Sequence, residues 1–319
     1  MINRWPLGHE GMSMAASMKI VLCLTAFLLV ACPAAPIKRN FISPESSSES
    51  NLPLIKKHLA LLPFYNQSPY GGDDLAVTVT EELRNELGRS GHFVIDQMVA
   101  KSFGPSKEIY VGGGVKLGPL VAEAKKYNIN LILLGRIMEA KVQQKADEIG
   151  LVRKTKTYGE ALVEFRLFDV HTNREVLNEA IRGSSDDESY RFFKPNSKEE
   201  LKYRQEILRY VAQVAARKVI PHILAISKQM EWVGRIANIE GTRIYINAGR
   251  ASGINVGDVL KVITEGRDIY DPETGALIGT AQGEIKGAIE IIDYFGPDGA
   301  VGVLHSGGQI QKGDLVQLY

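Results

Sequence analysis

Two short, unbroken apolar runs constrain the fold of this chain more than any other feature: Leu59-Ala60-Leu61-Leu62-Pro63-Phe64 and Leu131-Ile132-Leu133-Leu134-Gly135. Each is too uniformly apolar for a strand with one wet face, and suits a strand covered on both sides. Between them the period becomes helical. Leu75, Val79, Leu83 and Leu87 recur every four residues behind Gly71-Gly72-Asp73-Asp74, whose aspartates can cap a helix N-terminus. That helix should stop near Gly88 and Gly91, and His92-Phe93-Val94-Ile95-Asp96 reads as a second strand. Gly112-Gly113-Gly114 with Lys116 lacks the Gly-Lys-Ser/Thr of a phosphate loop and reads as a plain flexible loop. Leu120, Ala124 and Tyr127 then mark a short helix over residues 119–127.

After Tyr158 the period is two. Val163, Phe165 and Leu167 face one way and Glu164 and Arg166 the other, as in a sheet with one wet face. Asp169-Val170-His171-Thr172-Asn173 is a turn in which Asn173 tolerates the left-handed conformation, and Glu175 to Arg182 returns as the hairpin partner. A long helix follows from about Lys198, with Leu201, Leu208, Val211, Ala212, Ala215 and Val219 on its apolar side; Pro221 should end or kink it. The order βαβαβββα predicts an open mixed β-sheet with packed helices.

From Trp232 to Tyr319 the helical period disappears and turn signals recur roughly every ten residues. Val233-Gly234-Arg235-Ile236 and Arg243-Ile244-Tyr245-Ile246-Asn247 are strands, and Asp271-Pro272-Glu273-Thr274-Gly275 is a hairpin turn. Gly257-Asp258-Val259-Leu260 recurs as Gly313-Asp314-Leu315-Val316. Many short strands argue for a small closed all-β barrel, giving an α+β chain.

The N-terminus is of another kind. Met18-Lys19 precedes an apolar run from Ile20 to Ala31, too short to span a bilayer and suited to the h-region of a secretory signal. It ends in Leu29-Val30-Ala31-Cys32, similar to a bacterial lipobox, so cleavage is expected after Ala31 and a covalent diacylglycerol on Cys32. Met12, Met14 or Met18 is a better start than Met1. Residues 33–52 are rich in Pro, Ala and Ser and read as a flexible tether. The expected division is residues 1–31 signal, 32–52 lipidated cysteine and tether, 53–228 sheet domain, and 229–319 barrel domain. Cys23 and Cys32 allow no disulfide framework or zinc cluster, and a net charge of +1 gives no reason to expect nucleic acid as partner.

Leu61-Leu62-Pro63-Phe64, the helix 75–87, Gly91-His92-Phe93, Leu133-Leu134-Gly135 and Phe168-Asp169-Val170-His171-Thr172 resemble, in running order, the CsgG-type curli-secretion lipoproteins. They resemble equally the TolB N-terminal-like domain of the flagellar assembly protein T family. Tyr245-Ile246-Asn247-Ala248-Gly249, Ser252-Gly253, Val256-Gly257-Asp258, Asp271-Pro272 with Thr274-Gly275, and Gly313-Asp314 resemble that second family's C-terminal SH3-like domain. The resemblance implies a ring-forming assembly component, with itself, other envelope-machine components and the membrane as partners, on the periplasmic side of the outer membrane and most plausibly at a flagellar basal body. Family members usually carry a further N-terminal domain and a plain signal peptide, and this sequence has neither. Two alternatives stand beside it: a curli-type secretion channel, and an activator of a peptidoglycan synthase, since a lipoprotein activator uses a similar sheet domain. The channel fits poorly. Its first candidate hairpin, Met138 to Leu162, carries Lys141, Lys145, Asp147, Glu148, Arg153, Lys154 and Lys156, and such charges cost roughly 2–4 kcal/mol each for Lys or Arg at a barrel midplane. The second, Gly183 to Glu200, is short and charged.

No residue grouping points to catalysis. His9, His58, His92, His171, His222 and His305 show no HxxxH or HExxH spacing and read as surface or strand-edge residues; no Gly-x-Ser-x-Gly elbow occurs. Asp186-Asp187-Glu188 reads as a solvated loop, without a metal. Tyr190, Arg191, Phe192 and Phe193, in a polar loop before the long helix, are candidate partner contacts. The expectation is a non-enzymatic structural lipoprotein with no cofactor beyond its acyl group.

Overall fold

The computed structural model describes residues 55–104, 106–146, 155–187, 197–281 and 283–319. Strand β1 (Lys57–Leu61) leads through β2 (Tyr65–Asn66) to helix α1 (Gly72–Arg89) and β3 (Phe93–Ile95). Short helices α2 (Gln97–Ser102) and α3 (Ser106–Ile109), the ribbon β4 (Tyr110–Val111) and β5 (Gly114–Val115), and α4 (Leu117–Lys126) follow. Then come three long strands, β6 (Leu131–Ala146), β7 (Thr155–Asp169) and β8 (Arg174–Asp187), and the 32-residue helix α5 (Lys198–Gln229).

The strands form one mixed sheet in the order β3-β1-β6-β7-β8, with β2 beside the middle of β6. β1 runs parallel to β3 and β6; β6, β7 and β8 are antiparallel. The two apolar runs are therefore neighbouring central strands, and both faces are buried as their composition demands. Leu59, Leu61, Leu131, Leu133, Phe165 and Leu167 pack under α1 and α5. On the other face Ala60, Leu62, Ile132 and Leu134 meet Leu120 and Ala124 of α4. Each fully buried leucine contributes on the order of 2 kcal/mol. Arg209 pairs with Asp74 and Arg217 with Glu82, both across 135 residues, so α1 and α5 advance side by side in the same direction.

Several expectations need correction. No side chain caps the N-terminus of α1: Gly71, at φ 83°, is its N-cap, and Asp73 and Asp74 lie inside the first turn. Gly112 and Gly113, both at positive φ, make the tight turn of the β4–β5 ribbon, the geometry a two-residue hairpin requires, rather than a loose loop. Pro221 does not end α5, which runs eight residues further with Ile223 and Ser227 buried. Leu201 is 52% exposed, because the first turn of α5 turns Glu200 and Tyr203 inward instead. Asn173, at φ 54°, takes the left-handed conformation expected of it.

The remainder is all β: β9 (Gly234–Glu240), β10 (Arg243–Ile246), β11 (Val259–Ile263), β12 (Arg267–Tyr270), β13 (Leu277–Ala281), β14 (Ile285–Phe295), β15 (Gly299–Gly307) and β16 (Leu315–Leu318). Six of these close a barrel in the order β10-β15-β14-β11-β16-β9 around Ile236, Ile246, Leu260, Ile289 and Val316. The Asp271–Gly275 turn joins β12 and β13, but these pair only with each other and stand outside the barrel. The Gly-Asp repeat has a shared cause. Gly257 and Gly313 sit at φ 93° and 96°, and Asp258 and Asp314 each accept from the backbone N–H three residues earlier, at Asn255 and Gln311. One turn is used twice. The chain is thus an α+β fold, a mixed sheet with packed helices followed by a small closed barrel. Among the described residues no helix is long and apolar enough to cross a membrane.

Candidate functional site

The four residues Ile55, Lys56, Lys57 and His58, where the described chain begins, run along the seam between sheet and barrel. Ile55 is 6% exposed and belongs to the barrel core. The Lys56 N–H donates to the Ser252 carbonyl at 2.8 Å. Lys57 opens β1, and because it shares a face with Leu59 and Leu61 its side chain points beneath α5, where its ammonium donates to the Ser227 carbonyl at 2.8 Å. Ser227 lies in the last turn of α5, whose carbonyls have no partner within the helix, so a buried cation meets the negative helix end. Burial pulls the Lys57 pKa below its ordinary value, opposed by the carboxylate of Asp169.

His58 points to the opposite side. Its N–H donates to Asn130 Oδ1 at 2.8 Å, and its ring Nε2 lies 2.9 Å from Asp298 Oδ2 and 3.0 Å from Ser252 Oγ. Asp298, in the β14–β15 turn, is the hub. It accepts from the Gly249 N–H at 2.8 Å, the Ser252 N–H at 3.0 Å and the Ser252 hydroxyl at 2.5 Å. Burial pushes the Asp298 carboxyl up, but the hydrogen bonds from His58 and from the hydroxyl and N–H of Ser252 outweigh it and hold the pKa at about 2.

A serine, a histidine and an aspartate in contact invite comparison with a catalytic triad, and the connectivity rules it out. In a triad the aspartate orients one ring nitrogen while the other takes the serine proton. Here one nitrogen, Nε2, faces both partners. An ionised carboxylate can only accept, so Nε2 must carry the hydrogen and has no lone pair for the serine. The serine hydroxyl itself donates to Asp298, and Ser252 is fully buried. The cluster is a clamp.

Direct contacts between sheet and barrel are fewer. Asn130 Nδ2 donates to the Val233 carbonyl at 2.8 Å and Asn128 Nδ2 to the Asn247 carbonyl at 2.6 Å; Lys125 pairs with Glu265 at 2.9 Å, both side chains well exposed. A cleft of about 310 Å³ remains open along the seam between the turn of His171 and Thr172 and the barrel residues Ile263, Gly266, Gly283 and Gln317.

The open face of the long strands bears charges, as the alternation predicted, yet part of it is covered. Arg166 pairs with Glu175 at 2.5 and 2.7 Å, and Arg136 with Glu164 at 2.8 Å, beneath Tyr110. Burial, with Glu164 beside it, pushes the Tyr110 hydroxyl above its ordinary pKa. Further along, Lys141 and Arg182 both reach Glu160, so the strands of the candidate hairpin carry a cross-strand ion network. Among the described residues no cluster of three or more metal-ligating side chains occurs.

Ala31 and Cys32 lie outside the described residues, as do Tyr190, Arg191, Phe192 and Phe193. His58 corrects the surface assignment made for it, since the fold brings it against a carboxylate 240 residues away.

No protein-family model matches the chain, and no curated protein matches it. Solved structures that are similar include a hypothetical protein from Chlamydia trachomatis, 16% identical over 54% of this chain and 98% of that one, with a TM-score of 0.32. A lipoprotein from Neisseria meningitidis is 14% identical over 53% and 99%, with a TM-score of 0.28. The C-terminal domain of LpoB from Salmonella enterica is 15% identical over 41% and 83%, with a TM-score of 0.27.

Proposed function

We propose that the chain is a lipid-anchored, non-enzymatic protein of the bacterial cell envelope, working by position and contact. The observation that carries this reading is the apolar run ending in Leu29-Val30-Ala31-Cys32, ahead of a sheet and barrel in which, among the described residues, the one serine–histidine–aspartate contact is not arranged as a nucleophile and base. The seam cluster supports it, since its serine and histidine are consumed in holding the fold. Mass spectrometry of the N-terminal peptide tests the anchor: an acylated Cys32 in the native chain, and release of Cys32→Ser from the membrane fraction, are expected. A Cys32→Ser chain held as firmly as the native one would end this reading.

The finer assignment is a ring-forming component of an envelope machine, with the flagellar basal body first because both halves resemble the flagellar assembly protein T family. Its partners are then copies of itself and neighbouring components, on the periplasmic side of the outer membrane. Deletion of the chain should reduce motility and disturb the basal rings; unchanged motility would remove the flagellar assignment. The ion network of Lys141, Glu160 and Arg182 weighs against the channel alternative, because any of these charges that faced lipid near a barrel midplane would do so at cost.

A further inference from the structure

We propose that residues 55–58 are a strap that sets the angle between barrel and sheet, so that whatever holds or pulls the preceding chain acts on that angle. Four consecutive residues divide their attachments between barrel and sheet. Ile55 sits in the barrel core and the Lys56 N–H is bound to Ser252 of the barrel. Lys57 is bound to the sheet through the His92 carbonyl and to the end of α5 through Ser227. His58 is bound to both at once, by its backbone to Asn130 and by its ring to Ser252 and Asp298.

What else joins the two parts is slight. Among the described residues it includes two amide side chains, one well-exposed ion pair of the kind water and salt weaken, and the short link from α5 to β9, whose Glu231 accepts from Gln317 at 3.1 Å. The cleft along the seam shows that the two surfaces are not packed solid against each other, leaving room for rotation once the strap lets go. The strap is also where the chain arrives from its N-terminal segment, so a pull on that segment loads Ile55 first and peels the barrel side of the seam before it disturbs the β1 ladder. The proposal stands on residues 55–58 alone and holds whether or not Cys32 is acylated.

Distances between spin labels, measured by pulsed electron resonance, test it. Labels go on Asn85→Cys in α1 and Lys312→Cys in the barrel, in the full chain with Cys23 and Cys32 replaced by serine; a second pair, Asn85→Cys and Asn178→Cys, reports on the sheet part alone. A single narrow Asn85–Lys312 distance is expected in this background. Ile55→Ser with His58→Ala should lose that single distance while the Asn85–Asn178 distance stays. Should the double variant disturb the sheet pair as well, His58→Ala alone carries the test and should add population outside the native distance. Asn128→Ala, which removes a direct contact, should leave the narrow distance intact. An unchanged Asn85–Lys312 distribution in the strap variants, or its loss in Asn128→Ala alone, would overturn the proposal.

Discussion

The Lys57 ammonium donates to the carbonyl of Ser227 at 2.8 Å, placing a 7%-exposed cation at the C-terminus of α5. α5 ends without a glycine in the left-handed conformation, its C-cap Met230 being extended, and Lys57 supplies one of the missing donors from another element.

Desolvation lowers the Lys57 pKa in the folded chain, with Asp169 opposing it. The unfolded chain therefore binds a proton more readily, and this group's contribution to stability rises with pH until the unfolded lysine also deprotonates, at its ordinary value near 10.5. Lys57→Met keeps the aliphatic stem and removes the titration. The stability of the native chain minus that of Lys57→Met should increase as pH is raised from neutrality, as read by chemical denaturation at each pH. A difference that stays flat or falls would contradict this account of the site.

Asp298 behaves in the opposite sense. Its folded pKa of about 2 lies below the ordinary 3.8 despite its burial, because His58 and Ser252 donate to the charged form. As pH falls the unfolded chain takes up the proton first. A contribution of about 2 kcal/mol is thus present in full above the ordinary value and lost as pH drops toward the folded one. The stability advantage over Asp298→Asn should shrink between about pH 5 and about pH 2, monitored by acid titration of the unfolding midpoint. A gap of constant size would show that Asp298 is not held by these donors.

How much of this was legible follows from the range of each interaction. Continuous apolar runs and four-residue spacing are local, and they placed β1, β6, α1 and, Leu201 apart, the inward face of α5. The turn aspartates also left local marks: the Gly257-Asp258 and Gly313-Asp314 repeat was visible, though its shared bond to the residue three earlier was not. The seam was not legible. His58, Ser252 and Asp298 meet across separations of 194 and 240 residues, and each alone looks like an ordinary strand or turn residue. Lys57 carried a signal that could have been used: a lysine in phase with Leu59 and Leu61, on a strand buried on both faces, must find a buried acceptor.

The repeated turn offers an internal comparison. Asp314 is 8% exposed and adds a two-pronged pair with Lys286, at 2.8 Å to each oxygen, whereas Asp258 only closes its turn. Asp314→Ala strands a largely buried ammonium and should cost about 3–5 kcal/mol. Asp258→Ala loses a turn bond and should cost about 1 kcal/mol. Urea denaturation of the two variants checks the ranking, and equal losses would mean the Lys286 pair contributes little.

Gly183 in β8 lies against the backbone of α5. A Cβ built there would fall well inside contact distance of the Val211 carbonyl and 2.8 Å from the Ala215 nitrogen. These are backbone atoms of a helix packed against both α1 and the sheet, so neither can move aside as a flexible side chain would. Gly183→Ala should therefore push α5 outward and cost about 1–3 kcal/mol. Gly88, inside α1, makes the opposite case, since a Cβ there meets nothing within 4 Å. Gly88→Ala should instead stabilise by about 0.5–1 kcal/mol through the lost flexibility of the unfolded chain. Thermal unfolding of the two variants should shift in opposite directions. A Gly183→Ala midpoint at or above the native one would mean that α5 does not press on β8 as closely as this geometry requires.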